Sequence, residues 1–321
     1  MFRRVEPCPQ RFRIGRMGLR EGFGMSALSA NALAAAAGVI ADVAFGEPAV
    51  EPHPVQAFGG VMERVEQAIY RPRRPAGAVH AVTGLGLGIT AGSLVRSTSL
   101  ATYIAVAHRA LADAGLEVAA ALEDHDLPRA RQLLPALVGR DPSGLDVTEI
   151  TRAVVESVAE NTVDAVVAPA LWGALFGAPG ALGYRAINTM DATVGHRSER
   201  YERYGWASAR LDDVANFIPA RLTAALVAAV RPRSALAVWR AVRQDAPFHP
   251  SPNAGVAEAA FAAALGVRLG GVNTYGNRTE RRPQLGSGRA PEAPDILAAV
   301  ALCRDVTCGL VASLVALAGL A

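Results

Sequence analysis

From Ala165 to Gly183 the chain carries no charged side chain. A membrane-spanning helix needs about 20 mostly apolar residues, and this run meets that length. Four further apolar stretches lie at about 26–46, 78–108, 214–230 and 296–321. Asp42, Arg96, Arg221, and Arg304 with Asp305 interrupt them in turn. Ionisable groups in such segments must face protein, pair, or reach the interface. Gly84, Gly88 and Gly92 recur every fourth residue, and Gly173 and Gly177 repeat the spacing. Small residues on one stripe let helices approach closely in lipid. The alternative reading of Gly84, Gly86 and Gly88 as a dinucleotide loop fails, because no strand precedes them and no acidic residue follows at the required distance.

Helical periodicity dominates the rest, strand signals are scarce, and no internal repeat is visible. The expected fold is mainly α: a polytopic integral membrane helical bundle whose long helical loops, 47–77, 109–164, 184–213 and 231–295, carry the site. The expected location is the cell membrane, multi-pass, with the lipid bilayer as a partner. Charged residues make up 19% of the chain, below the roughly 25% of soluble domains. Residues 1–24 carry six arginines and no apolar period. They read as a basic disordered extension, either a start-site artefact ahead of Met25 or a short arm, and 25–321 reads as a single helical membrane domain. Residues 276–295, rich in Gly, Pro and charge, read as a loop.

All 32 basic residues are arginine. A Schiff-base lysine and a Walker-type lysine are therefore excluded, and phosphate recognition must rest on arginine, backbone amides or a metal. A net charge of +3 and 6% aromatic residues, without a basic stripe, argue against a nucleic-acid partner. Cys8, Cys303 and Cys308 offer neither a disulfide framework nor zinc spacing, and the last two read as buried thiols.

The most informative stretch is 139–164. Asp146 and Glu149 fit a capping box at a helix N-terminus. Beyond it Glu156, Glu160 and Asp164 recur every four residues and share one helical face. Stacked carboxylates repel, so the face is either solvated or compensated by a divalent metal or an arginine such as Arg152. Asp191, Asp212 and Asp213 can join the same site, since magnesium takes hard oxygen ligands. Asp212 and Asp213 also suit a helix start, where negative charge meets the dipole. Arg197 and Arg221 lie near these acids, and Arg221 is open to phosphate binding or to pairing with Asp212 or Asp213. Ser251 to Asn253 form a turn signal, a helix carrying Glu258 follows, and Gly270 and Gly271 read as its end. His53, between prolines, reads as structural rather than as a ligand.

Several separated motifs together resemble the CobD/CbiB family of cobalamin biosynthesis, the adenosylcobinamide-phosphate synthases. They are Gly46-Glu47-Pro48 with His53-Pro54-Val55; Gly139-Arg140-Asp141; RAVVESVAENTVDAVVAP at 152–169; Asn188 to Asp191 with Val194-Gly195; DDVANFIPARL at 212–222; SPNAG at 251–255 with Glu258; and ALGVRLGG at 264–271. The match runs in order over about 42–275. Glu47, Thr193 and His196 stand where the family usually has Asp, Ser and Tyr.

The resemblance implies an ATP- and Mg2+-dependent ligase. It would join an aminopropanol O-phosphate, or a related amino-alcohol phosphate, to the corrinoid adenosylcobyric acid, alone or alongside other cobalamin pathway enzymes. In that reading Glu156, Glu160, Asp164, Asp212 and Asp213 supply a metal site. Asp141, Glu160, Asp191 and Glu258 are the catalytic candidates. Arg140, Arg197, Arg221, Asn161, Asn188, Asn216, Ser251, Asn253 and His53 are the substrate- and phosphate-binding candidates. Two other classes fit an acidic site at the mouth of membrane helices: a transporter or sensor resembling AmpE, and a lipid phosphotransferase. Five complete spans would put 109–164 and 184–213 on opposite faces, whereas a shared site needs them together. One segment is therefore expected to be re-entrant, non-spanning or split.

Overall fold

The computed structural model describes residues 21–139, 141–196, 198–275 and 278–320. The chain begins with α1 (Glu21–Phe45), α2 (Pro54–Ile69) and α3 (Arg74–Val95), followed by α4 (Thr98–Ala105), α5 (His108–Glu123) and α6 (Leu127–Leu133). Helix α7 (Val147–Thr162) continues through a π-helical turn, Val163–Val167, into α8 (Ala168–Met190), which ends in a second π turn, Asp191–Gly195. Then come α9 (Tyr201–Tyr204), α10 (Trp206–Ala215), α11 (Phe217–Val230), α12 (Ala235–Gln244) and α13 (Ala254–Leu265). An antiparallel pair, β1 (Leu269–Tyr275) and β2 (Arg278–Leu285), precedes the last helix, α14 (Pro294–Leu320). The disordered extension expected over 1–24 lies outside the described residues up to position 20, and α1 already begins at Glu21.

Among the described residues, four helical segments are long and apolar enough to cross a membrane: Ala27–Phe45, Arg74–Val95, Val147–Gly195 and Pro294–Leu320. The pair α10–α11, bent by 42°, makes a fifth if counted as one broken span. The chain is a polytopic helical membrane bundle. Its second span is shorter than the apolar run suggests. Arg96 adopts a left-handed conformation (φ 56°) and closes α3, so the charge lies exposed at a helix end instead of inside a span.

The glycine stripe of α3 packs against α8. A Cβ on Gly88 would stand 2.6 Å from the Ala186 Cβ, and one on Gly92 would meet the Ala178 backbone. The capping box of α7 is formed in both directions: the Glu149 amide donates to Asp146 Oδ1 at 2.8 Å, and the Asp146 amide donates to Glu149 Oε2 at 3.0 Å. The main core joins α7 to α13, α11 and α14 through Ile150, Val154, Val158, Phe261, Val227, Leu302 and Leu310, all buried.

The uncharged run 165–183 does not form one straight span. At Gly177 the backbone leaves the helical region (φ 69°, ψ −155°), and Pro179 follows. Proline disfavours the helical conformation before it, and glycine admits the positive φ, so the two together permit a reversal. The arms fold back on each other: a Cβ on Gly173 would lie 3.4 Å from that of Ala181. Asn188 reaches Asp164, 24 positions away, in a 3.2 Å hydrogen bond. In a straight helix they would stand about 36 Å apart. Each arm is about 20 Å long, short of the roughly 30 Å hydrocarbon core. The segment is thus split, and both of its ends open on the same side. It is also the most enclosed of the long segments, 61% buried against 28% for Arg74–Val95 and 33% for Pro294–Leu320.

Three further expectations change. Gly270 and Gly271 do not end α13, which closes at Gly266 in the left-handed region. They lie in β1 with φ of 81° and 105°, beside an irregularity in the strand register. Part of the expected loop at 276–295 is strand β2, whose arginine-rich sequence hides a pairing that only β1 supplies. Of the cysteines, Cys303 is buried but Cys308 is exposed, because five helical positions place them on different faces of α14.

Candidate functional site

Three helical irregularities meet at the open end of the hairpin. Asp164 sits in the first π turn and Asp191 opens the second. Asn216 occupies the break between α10 and α11. Single π turns inside α-helices recur at functional sites, because they re-aim side chains that a regular helix would leave on its surface. Here they bring the carboxylates of Glu160, Asp164, Asp191 and Asp212 within electrostatic reach of one another.

A chain of hydrogen bonds fixes the group. The Tyr184 hydroxyl donates to Asn216 Oδ1 at 2.8 Å and lies 3.5 Å from Asp164 Oδ1. Asn216 Nδ2 donates to Asp212 Oδ2 at 2.9 Å, and Asn188 Nδ2 to Asp164 Oδ2 at 3.2 Å. Arg185 donates to Asn188 Oδ1 at 3.3 Å. The network extends to the 251–253 turn. Asn253 donates to the Asp213 carbonyl at 2.7 Å and accepts from Arg221 at 2.8 Å. Ser251 Oγ accepts from the amides of Asn253 and Ala254, holding the start of α13.

Glu160, Asp164, Asp191, Asp212, Asn188 and Asn216 are thus brought together. Asp213 flanks them and pairs with Arg210 at 3.3 Å. Arg221 pairs with neither Asp212 nor Asp213: it bonds Asn253 and stacks on the Phe217 ring at 3.7 Å. Asn161 bonds back to Ser157 on its own helix. Glu156, although on the α7 face, accepts from the Gly270 amide at 2.8 Å and lies 3.8 Å from Arg152. Helical spacing gives a common face but not the partner packed against each turn. Glu258 is fully buried near His249 and Arg282, away from the acidic group. Asp141 sits at the opposite end of α7, exposed, accepting from the Ser143 amide at 2.9 Å; bonds from Ser143 hold its carboxyl below the usual range. His53 caps α2 through Nδ1. Arg140 and Arg197 lie outside the described residues.

Sequence reasoning missed Tyr184 and Arg185. The available signal was their position one helical turn before Asn188, on the same face.

Among the described residues no three acidic, histidine or cysteine side chains converge tightly enough to hold a metal ion on their own. The five carboxylates expected as a metal set do not close into a cage. The donor set still suits a partly ligated ion: Asp212 Oδ1 is buried without a hydrogen-bond partner among the described residues, within electrostatic reach of Asp191 and Glu160. Magnesium characteristically takes one or two carboxylates and completes its shell with water and substrate phosphates.

The profile of the CobD/Cbib protein family matches residues 35–303. The chain is similar to Cobalamin biosynthesis protein CobD of Mycobacterium tuberculosis H37Rv, with 48% identity over 85% of this chain and 91% of the relative. It is 43% identical to the protein of the same name from Geobacter metallireducens, over 79% of this chain and 86% of that one. A third, from Halalkalibacterium halodurans, is 37% identical over 91% of this chain and 98% of its own. No solved structure matches the chain. The irregular helices that assemble the acidic group lie wholly inside the matched region, and the chain belongs to the CobD/CbiB family of cobalamin biosynthesis proteins.

Proposed function

We propose that the protein closes an amide bond between a corrinoid carboxylate, that of adenosylcobyric acid, and the amine of an aminopropanol O-phosphate or a related amino-alcohol phosphate, in the cell membrane and at the expense of ATP. The observation that carries this reading is the four-carboxylate group assembled from two π turns and a helix break at the mouth of the hairpin. A transporter would place such breaks midway through its spans. Here they open towards the polar loops.

A carboxylate and an amine do not condense unaided in water. Transfer of the ATP γ-phosphoryl group to the carboxylate makes an acyl phosphate and ADP. The amine then attacks the acyl carbon, phosphate leaves, and the amine loses a proton. Magnesium, held by Asp212 with Asp164, Asp191 or Glu160, would offset phosphoryl charge while bound. The protein's own residues do the positioning. Asn216 keeps one Asp212 oxygen occupied and turns the other inward. Tyr184 and Asn188 hold the two strands of the acidic group in register. Arg185, with a buried Nε that has no partner among the described residues, stands ready for a phosphoryl or corrinoid carboxylate oxygen. Glu160, the exposed member of the group, is the best-placed acceptor for the amine proton.

The test is turnover of detergent-purified protein with adenosylcobyric acid, aminopropanol O-phosphate, ATP and magnesium, followed by the mass of the corrinoid. The expected result is an ATP-dependent product of the amide's mass, falling about 100-fold or more in Asp212→Ala while corrinoid binding persists. Corrinoid-binding protein that forms no amide under these conditions would sink the reading.

A further inference from the structure

A second polar cavity, of about 760 Å³, opens between the N-terminal half of α7 and the β-hairpin. Arg152, Arg268 and Arg282 line it, together with Thr148, Gly270 and Gly271. The family reading assigns it nothing, and it is set apart from the acidic group: along α7, Arg152 stands about 12 Å from Glu160 and about 18 Å from Asp164.

The cavity is built around its arginines. Glu156 lies 3.8 Å from Arg152, and the fully buried Glu258 lies 3.8 Å from Arg282. The Gly270 amide ties Glu156 to the hairpin at 2.8 Å. Both carboxylates are buried, so they orient the guanidinium groups from below without reaching the opening. Gly271, at φ 105°, leaves room for Arg152 to pass: a Cβ there would stand 2.8 Å from Nη1 of Arg152. Arg268, exposed at the rim, has no ion pair among the described residues. Among the described residues Arg152 and Arg282 each have a buried carboxylate beside them, and Arg268 adds a third guanidinium at the rim of the cavity. Phe248, three-quarters exposed, supplies an apolar wall. The volume falls in the range of small-molecule sites.

We propose that this cavity binds the phosphate group of a small phosphorylated ligand. Guanidinium forks match phosphate oxygens in paired hydrogen bonds. The separation along α7 is too great for one phosphate to touch both Arg152 and Asp164. The ligand is therefore either the amino-alcohol phosphate, held apart from the nucleotide, or a nucleotide bound independently of the acidic group. Placing it in catalysis rests on the proposed ligase reading; the binding itself does not.

The experiment titrates inorganic phosphate, aminopropanol O-phosphate and ATP separately onto the full-length protein in lipid discs, by calorimetry at low and high salt. Wild type is compared with Arg268→Ala, at the exposed rim, and with Arg152→Gln and Arg152→Lys. At least one ligand is expected to bind wild type and to weaken tenfold or more in Arg268→Ala and Arg152→Gln. Arg152→Lys should recover only part of the loss, since an ammonium lacks the fork. Corrinoid binding should stay unchanged. The ligand that shows the loss identifies the source of the phosphate. Failure of all three to bind wild type, or equal binding by every variant, overturns the proposal. Phosphate binding that behaves as expected in a protein forming no amide would refute the ligase reading and leave this site standing. Amide formation by a protein whose variants all bind the three ligands as wild type does would do the reverse.

Discussion

The two ends of α7 handle charge in opposite ways. Towards its C-terminus, Glu160, Asp164, Asp191 and Asp212 crowd together, steadied by neutral donors from Tyr184, Asn188 and Asn216. Towards its N-terminus each buried carboxylate has an arginine beside it: Arg152 with Glu156, Arg282 with Glu258. In the proposed function the first group would take a cation from outside. The second is nearly neutral in itself and would offer its rim arginine to an anion. On the two proposals above, one helix would present a cation at one end and an anion at the other, the pairing that phosphate chemistry on a metal uses.

Removing a carboxylate should therefore have opposite consequences at the two ends. Glu258→Ala leaves the Arg282 guanidinium and the neighbouring His249 without their buried partner and should lower stability by about 3–5 kcal/mol, read from thermal or denaturant unfolding in detergent. Asp212→Ala relieves repulsion, so its unfolding should match wild type within about 1 kcal/mol while turnover collapses. If both variants unfold alike, the distinction between the ends is wrong. Asn216→Ala sharpens the comparison. It leaves every carboxylate in place but frees Asp212 and Tyr184, and should cost about tenfold in turnover with a raised magnesium requirement. Gly177→Ala tests the hairpin that brings Asp164 and Asp191 together. A Cβ at φ 69° and ψ −155° should destabilise by about 1–3 kcal/mol, seen as a lower melting temperature with the substrate affinities retained. Asp141→Asn should change turnover by less than twofold at any pH between 6 and 8, because its exposed carboxylate only closes a turn on Ser143.

Much of the bundle was legible in the sequence because lipid makes simple demands. The apolar runs, the Gly84-Gly88-Gly92 stripe and the Asp146–Glu149 box each follow from local rules, and each is present. The reversal at Gly177 was not legible, since an uncharged run reads the same whether it crosses or folds back. Only the requirement that 109–164 and 184–213 share a face pointed to it. The acidic group was half visible. The four-residue spacing found Glu160 and Asp164, but it also drew in Glu156, whose partner comes from a β-hairpin that helical periodicity could not foresee. Tyr184 and Arg185 were marked only by lying one helical turn before Asn188, and Arg152 only by standing four positions before Glu156; Arg268 and Arg282 act through tertiary neighbours that their own flanks do not mark.

The hairpin also bears on how the protein is made. Its buried turn at Gly177 rests against Asn31 of α1 and Thr98 at the start of α4, which hydrogen-bond to each other at 3.1 Å. A backbone reversal in apolar surroundings is tolerated only where protein groups receive it. Both residues precede the hairpin in the chain, so synthesis from the N-terminus delivers the cradle before the segment that needs it. Biogenesis of the acidic site is thereby tied to prior insertion of the first helices, and a lesion in that cradle would surface as failed assembly far from the chemistry.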